Sequence, residues 1–332
     1  MRIFSCPSCG GEVNFSNTDC LACGQPLHFD IAVGDFVAAG ADCTNRPAIG
    51  CNWVAGDSGL CWSCAMTRVI PETMEGENRL HWAKSETAKR RVLAQLGRWG
   101  WFTPADTGRL PVFRMLSEVT SDGPRDVVMA HGDGEITINV TEADVLERME
   151  RREELGEKLR TMIGHIRHEI AHFLFLRLCD APDFLPAFRA LMGDETADYA
   201  AALARHYDAG PPEGWGAAHV TPYASAHPHE DWAETLAHLL HLVDIIDCAV
   251  AAGWISAEAP AGYDAYAELD GQKVITLGAD YAMGVNHINR SIGLGDIYPF
   301  VLTDGVRDKL AFVHGWLGAG PVSVPVSSDG TS

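Results

Sequence analysis

Nine of the fourteen histidines fall between residues 165 and 241, and there the run Arg167-His168-Glu169-Ile170-Ala171-His172 contains a His-Glu-x-x-His pattern. At about 100° per residue, positions 168 and 172 return to one side of a helix a single turn apart, so both imidazoles can share one zinc ion. Glu169 lies about 100° round from His168, too far to complete that pair. It is placed instead to reach a water at the metal's open position and act as general base. A histidine on a buried helix face is more often packed than ligating. Here Ile166, Ile170, Phe173 and Leu174 supply the apolar anchorage that frees the histidines for a metal.

A catalytic zinc takes three protein ligands and keeps one position open. Candidates for the third lie in His227-Pro228-His229-Glu230-Asp231-Trp232-Ala233-Glu234-Thr235-Leu236-Ala237-His238. Glu230 and Glu234 share a helix face, and a second helix antiparallel to the first would bring such a carboxylate to the histidines. Glu230 is the expected ligand, with Glu234, Asp231 and His229 as alternatives. Glu234 suits the outer role of accepting an imidazole N–H and holding a ligand in place. His165 shares the face of His168 and His172 and is a weaker competitor. His238 and His241 read as packed or supporting residues, and Asp194, Glu195 and Asp198 as a solvated helix start.

Eight of the ten cysteines fall within the first 64 residues. Cys6-Pro7-Ser8-Cys9-Gly10 and Cys20-Leu21-Ala22-Cys23-Gly24 are matched C-x2-C knuckles, each presenting two thiolates while its glycine relieves the turn. Together they predict a four-thiolate zinc ribbon; the spacing alone also admits iron, and a redox pair is disfavoured because the knuckles come as a matched set. Cys43, Cys51, Cys61 and Cys64 are expected to form a second four-cysteine site, with buried free thiols or metal sharing with the first cluster as the alternative. Cys179 and Cys248 sit in apolar helical patterns and read as core cysteines.

These residues need elements to hold them. At roughly 150 residues per domain, 332 residues make about two domains, and 47% hydrophobic with 21% charged residues is a globular composition. The expected organisation is a zinc-ribbon region over 1–70, a larger domain over 71–320 after Pro71, and a disordered tail over 321–332. In the larger domain a helix is expected from about 77 to 99, with the basic Lys89-Arg90-Arg91 on its solvated face. Strands are expected at 110–115, 126–129 and 135–140, the last a half-exposed edge strand. One long amphipathic helix is predicted from about 145 to 178, with Leu155 and Leu159 on its apolar face. Further helices are expected at about 183–207, 230–252 and 305–316. The fold class is therefore α+β, a small sheet with site-bearing helices.

The formal charge is −20, from 25 Lys plus Arg against 45 Asp plus Glu, which repels phosphate backbones and anionic membranes. Residues 1–70 carry three Arg and no Lys against six acidic residues, so the ribbon shares that bias. With no apolar run near the roughly 20 residues of a membrane span and no apolar signal core at the N-terminus, a soluble cytoplasmic protein is expected.

The chain resembles the family of bacterial zinc-binding metallopeptidases that pair an N-terminal zinc ribbon with a gluzincin-like domain. The resemblance spans nearly the whole chain. It rests on the double knuckle, on Asn45-Arg46-Pro47-Ala48-Ile49-Gly50-Cys51-Asn52-Trp53, on Arg167-His168-Glu169-Ile170-Ala171-His172 and on Pro228-His229-Glu230-Asp231-Trp232-Ala233-Glu234-Thr235. Asn289-Arg290-Ser291-Ile292-Gly293 and Tyr298-Pro299-Phe300-Val301-Leu302 are similar too. It implies a zincin-like fold and zinc chemistry. Some toxin-like gluzincins place a Glu ligand in a Glu-x-x-Ala-Glu segment with a tyrosine seven residues earlier, which here falls on Tyr223. By that likeness its phenol would donate to the oxyanion of a tetrahedral intermediate, the alternative being a structural tyrosine in the loop entering the helix.

The function expected is zinc-dependent hydrolysis of a peptide or related amide bond in a peptide or protein substrate. His168, His172 and Glu230 would hold the zinc, Glu169 would be the base, and one or two structural zinc ions would sit in the cysteine sites. Two rivals belong to other classes: a zinc-containing module that binds peptides without cleaving them, and an adaptor whose ribbon recruits nucleic acid or protein. The acidic charge disfavours nucleic acid.

Overall fold

The computed structural model describes residues 2–144 and 161–321. Two short antiparallel ribbons open the chain, β1 (Phe4–Ser5) with β2 (Glu12–Val13) and β3 (His28–Asp30) with β4 (Asp35–Val37). They carry a small aromatic core in which Phe4, Phe15, Phe29 and Phe36 meet with ring centroids 5.0–6.1 Å apart. Gly10 and Gly24 follow the two knuckles with φ of 73° and 72°, a left-handed conformation that favours glycine. Their N–H groups close matching turns onto Cys6 O and Cys20 O.

The helical turns α1 (Arg46–Ile49) and α2 (Trp62–Ala65) carry the chain past the remaining N-terminal cysteines into β5 (Thr67–Val69). After α3 (Asn78–Gly97) come β6 (Val112–Leu116), a small hairpin of β7 (Val119–Thr120) with β8 (Gly123–Pro124), then β9 (Ala130–Gly132) and β10 (Glu135–Asn139). The main sheet has the order β5-β6-β10-β9, parallel except for β9 against β10. Its buried face carries Phe113, Met115, Ile136 and Ile138 in register, the alternation expected of a half-covered sheet. The strand expected at the edge, β10, is central, and the edge belongs to β9. Residues 126–129, expected as a strand, are irregular, because the turn at Asp133 and Gly134 sets a register that pairs only Ala130–Gly132.

The site-bearing helices follow: α4 (Met162–Leu178), α5 (Phe184–Met192), α6 (Tyr199–Ala209), α7 (Pro228–Ala251), α8 (Gly271–Ser291) and α9 (Asp304–Gly318). Of the helix expected over 145–178, the described part begins at Met162 behind Thr161, which is extended and caps α4 by accepting from Gly164 N; residues 145–160, with Leu155 and Leu159, lie outside the described residues. The single helix expected over 183–207 is two, broken at Gly193 (φ 103°) and restarted by Asp198, whose carboxylate accepts from Ala201 N. Helix α8 was not anticipated. Its Gly278 and Gly284 dilute the apolar pattern, yet Gly278 lets α8 approach α7, where a Cβ would meet Leu242 at 2.8 Å.

Helix α3 corrects another expectation. Lys89 is fully buried, 2.9 Å from the equally buried Glu86 and donating to Ser63 O, and Arg90 is buried as well; of the basic run only Arg91 faces solvent. The cysteine-rich segment and α4 both pack on α3, so Lys89 is paired inside with Glu86 and Arg90 donates to Thr87 Oγ1 instead of facing solvent. Trp62 Nε1 also donates to Phe102 O, and the apolar core runs continuously from Phe4 to Leu317. Cys179 is half-buried, whereas Cys248, expected in the core, is exposed because α7 turns that flank outward. Of the tail expected to be disordered, only Pro321 lies within the described residues. Among the described residues no helix is long and apolar enough to cross a membrane.

Candidate metal centre and active site

Helices α4 and α7 pack antiparallel, with Trp232 Nε1 donating to Ala171 O and Arg167 reaching Asp244 and His241 further along. Arg167 also donates to Gln95 of α3, so three helices are locked at one buried guanidinium. This register brings Glu230 and Glu234 to the two histidines.

The Nε2 atoms of His168 and His172 face each other at 3.1 Å. Glu230 Oε2 lies 3.0 Å from His168 Nε2 and 3.6 Å from His172 Nε2. An ion with bonds of about 2.0–2.1 Å sets tetrahedral ligand atoms about 3.3 Å apart, so these three donors fit zinc. Glu230 Oε2 is buried and has no hydrogen bond, as an atom reserved for a ligand would be. Its other oxygen accepts from the Tyr199 hydroxyl at 2.6 Å.

Glu234 takes the outer position. Its Oε1 is 2.8 Å from His168 Nδ1, which directs Nε2 to the centre, and its Oε2 accepts from Thr221 Oγ1 at 2.7 Å. Burial pushes the Glu230 carboxyl up, but His168 and His172 outweigh it and hold Glu230 far below the usual carboxylate range. Burial likewise lowers His168, yet Glu230 and Glu234 together raise it well above an ordinary imidazole. Glu169 is 7% exposed. Burial raises its carboxyl, and His131, His168 and His172 more than offset that, so it is ionised at neutral pH.

Tyr223 sits in a 3-10 turn (Tyr223–Ser225) ahead of α7, its ring centroid 6.1 Å from that of His168. Burial and the neighbouring Glu230 raise its phenol above the ordinary range, keeping the proton available. The alternative candidates point elsewhere. His165 pairs with Glu142 at 3.0 Å, and Asp231 pairs with Lys309 at 2.5 Å. His229 packs on Phe175, its imidazole pushed down to about 4 by burial. His238 hydrogen-bonds the Tyr298 hydroxyl, and His241 meets Arg167. Asp194 accepts from Thr196, Glu195 pairs with Arg189, and Asp198 caps α6.

Tyr199, Thr221 and His131 were missed by sequence reasoning. Asp198 announces α6 as an N-cap, but the face that Tyr199 presents depends on how α6 meets α7. For His131 a signal exists in the turn residues Asp133-Gly134, from which counting back sets it opposite Ile136.

The cysteines form two groups. In the first, Cys6 and Cys23 Sγ are 3.8 Å apart and Cys9 and Cys20 Sγ 3.7 Å; in the second, Cys51 Sγ lies 3.5 Å from Cys61 Sγ and 3.9 Å from Cys64 Sγ. A tetrahedral zinc with bonds of about 2.3 Å spaces its sulfurs about 3.8 Å apart, so both groups fit. Cys43 belongs to the second, accepting from Cys61 N at 3.3 Å. The second group is wholly buried, whereas Cys9 and Cys23 of the first are exposed.

An α+β domain thus carries three candidate metal donors on two antiparallel helices and is preceded by two four-cysteine groups that could each hold a metal. Residues 78–316 match the family described as "Putative zinc-binding metallo-peptidase", and the chain belongs to that family. It is also 38% identical over 328 residues to uncharacterized proteins of Mycobacterium bovis and of Mycobacterium tuberculosis, covering 95% of this chain and 94% of theirs. No solved structure matches the chain.

Proposed function

We propose that the protein is a zinc-dependent hydrolase of peptide or related amide bonds, with zinc held by His168, His172 and Glu230 and with Glu169 as general base. The observation that carries this reading is the convergence of His168 Nε2, His172 Nε2 and Glu230 Oε2, with the buried Glu169 on the same helix. Bound zinc would polarise the scissile carbonyl and make water a nucleophile near neutral pH. Glu169 takes a proton from the attacking water and returns it to the leaving amine. Tyr223 donates a hydrogen bond from its phenol to the developing oxyanion, and Tyr199 and Glu234 hold Glu230 and His168 in place. Both four-cysteine groups take structural zinc. The substrate is a peptide or protein; the charge of −20 disfavours nucleic acid and anionic membrane surfaces.

The test is proteolysis by the zinc-loaded full chain, followed by mass spectrometry on a mixed peptide library, beside Glu169→Gln. The variant is expected to keep its zinc and lose about 10²–10⁴-fold in rate, the usual contribution of a general base. Equal cleavage by variant and wild type would remove Glu169 from the mechanism. A zinc-loaded wild type that cleaves nothing would leave the non-catalytic binding module as the better reading.

A further inference from the structure

Strand β9 brings one more polar side chain to the centre. Asp133 and Gly134 both have positive φ, 48° and 85°, as in the two-residue turn whose twist suits an antiparallel hairpin. That turn places Gly132 opposite Glu135 and His131 opposite Ile136. Directly opposed residues share a face of the sheet, so His131 shares the face of the fully buried Ile136, against α4. The rest of that face is Phe113, Met115 and Ile138, all fully buried, and His131 stands beside them on the edge strand with 27% of its side chain exposed.

Its position shows a use. The His131 ring lies parallel on that of His172, with centroids 3.7 Å apart and planes at 14°. Its Nδ1 is 3.4 Å from Glu169 Oε2, a buried oxygen with no hydrogen bond of its own. Glu169 is thus approached from the sheet by an imidazole that is itself fixed by stacking and by strand register.

We propose that His131 is a positioning residue for Glu169, steering its carboxylate toward the reacting water; this rests on the hydrolase reading above. A base that is free to rotate is misplaced for most of its lifetime, and misplacement of about 1 Å can reduce a rate about 10²-fold. Orientation of this kind acts in the transition state and leaves ground-state binding nearly untouched.

The experiment compares wild type, His131→Ala, His131→Asn, Glu169→Gln and the double variant His131→Ala/Glu169→Gln, all as full chains loaded with zinc. Three quantities are read: zinc content, hydrolysis of quenched fluorescent casein, and the affinity of acetohydroxamate by calorimetry. Acetohydroxamate yields its proton to a well-placed carboxylate, so it reports on Glu169 without turnover. His131→Ala should keep full zinc, lose about 10- to 100-fold in kcat with KM within about threefold, and bind acetohydroxamate about tenfold more weakly. Asparagine, which keeps a donor near the Nδ1 position, should restore most of both. In the Glu169→Gln background the His131→Ala change should add less than about twofold, since the two act as one unit.

Loss of zinc from His131→Ala, a fully additive double variant, or wild-type behaviour in both assays would each overturn the proposal. If wild type binds acetohydroxamate but leaves casein intact, the binding series decides by itself. A wild type that does neither refutes the hydrolase reading, and the role of His131 falls with it.

Discussion

Removing one hydroxyl tests whether Glu230 is held for a metal. Tyr199→Phe keeps the ring and deletes the 2.6 Å hydrogen bond to Glu230 Oε1. A hydrogen bond to a charged group contributes about 1.5–3 kcal/mol, and loss of an outer partner of a metal ligand typically weakens binding about 10–100-fold, or about 1.4–2.7 kcal/mol. The two ranges agree. Tyr199 is 37% exposed, so water can partly replace the phenol, and the lower end applies: about tenfold weaker zinc at this centre. The assay is competition with a chromophoric chelator, with the His168→Ala/His172→Ala variant subtracted to remove the cysteine groups. Zinc affinity within twofold of wild type would show that the Tyr199 contact does not hold a ligand and would count against Glu230 as the third donor.

Asp106 makes two hydrogen bonds to Arg177, at 2.6 and 2.8 Å, with both side chains buried. Asp106→Asn leaves that guanidinium unpaired and should lower unfolding free energy by about 3–5 kcal/mol in denaturant titrations. Burial raises the Asp106 carboxyl, but Arg177 and the N–H groups of Phe102 and Gly108 outweigh it, so its folded pKa is depressed. Its contribution is therefore full above the unfolded value of about 3.9 and is lost as pH falls through the folded value; the gap between wild type and variant should close below about pH 4. The cysteine groups should also differ. Cys51→Ser disturbs a buried group that leads into β5 and should lower the melting temperature of the whole chain by roughly 10 °C. Cys9→Ser alters an exposed knuckle and should cost one metal ion with little change in zinc at the histidine centre. Equal melting shifts in calorimetry would contradict that division.

The helical period alone was enough to set His168 and His172 on one face, and the knuckle glycines announced the ribbon turns. Choosing between Glu230 and Glu234 was harder. Both lie on one face of α7, and which one meets the Nε2 atoms depends on the antiparallel register, fixed by Trp232 on Ala171 O and Arg167 on Asp244. Lys89 and Arg90 misled because a basic run normally marks solvent, and only the packing of the cysteine-rich segment on α3 makes them interior. Helix α8 escaped notice because its glycines interrupt the apolar period where they permit contact with α7. Tyr199 reaches the centre from a helix whose facing is set by its neighbours, whereas the turn at Asp133 and Gly134 sets His131 opposite Ile136 but leaves its distance to Glu169 to the packing of the sheet on α4.

Metal stoichiometry tests a zinc centre between α4 and α7 most directly. Elemental analysis of wild type and of His168→Ala/His172→Ala, both purified without added zinc, should give three zinc ions per chain falling to two, with the cysteine groups still filled. An unchanged count would contradict a metal centre between α4 and α7, and with it the proposed hydrolysis.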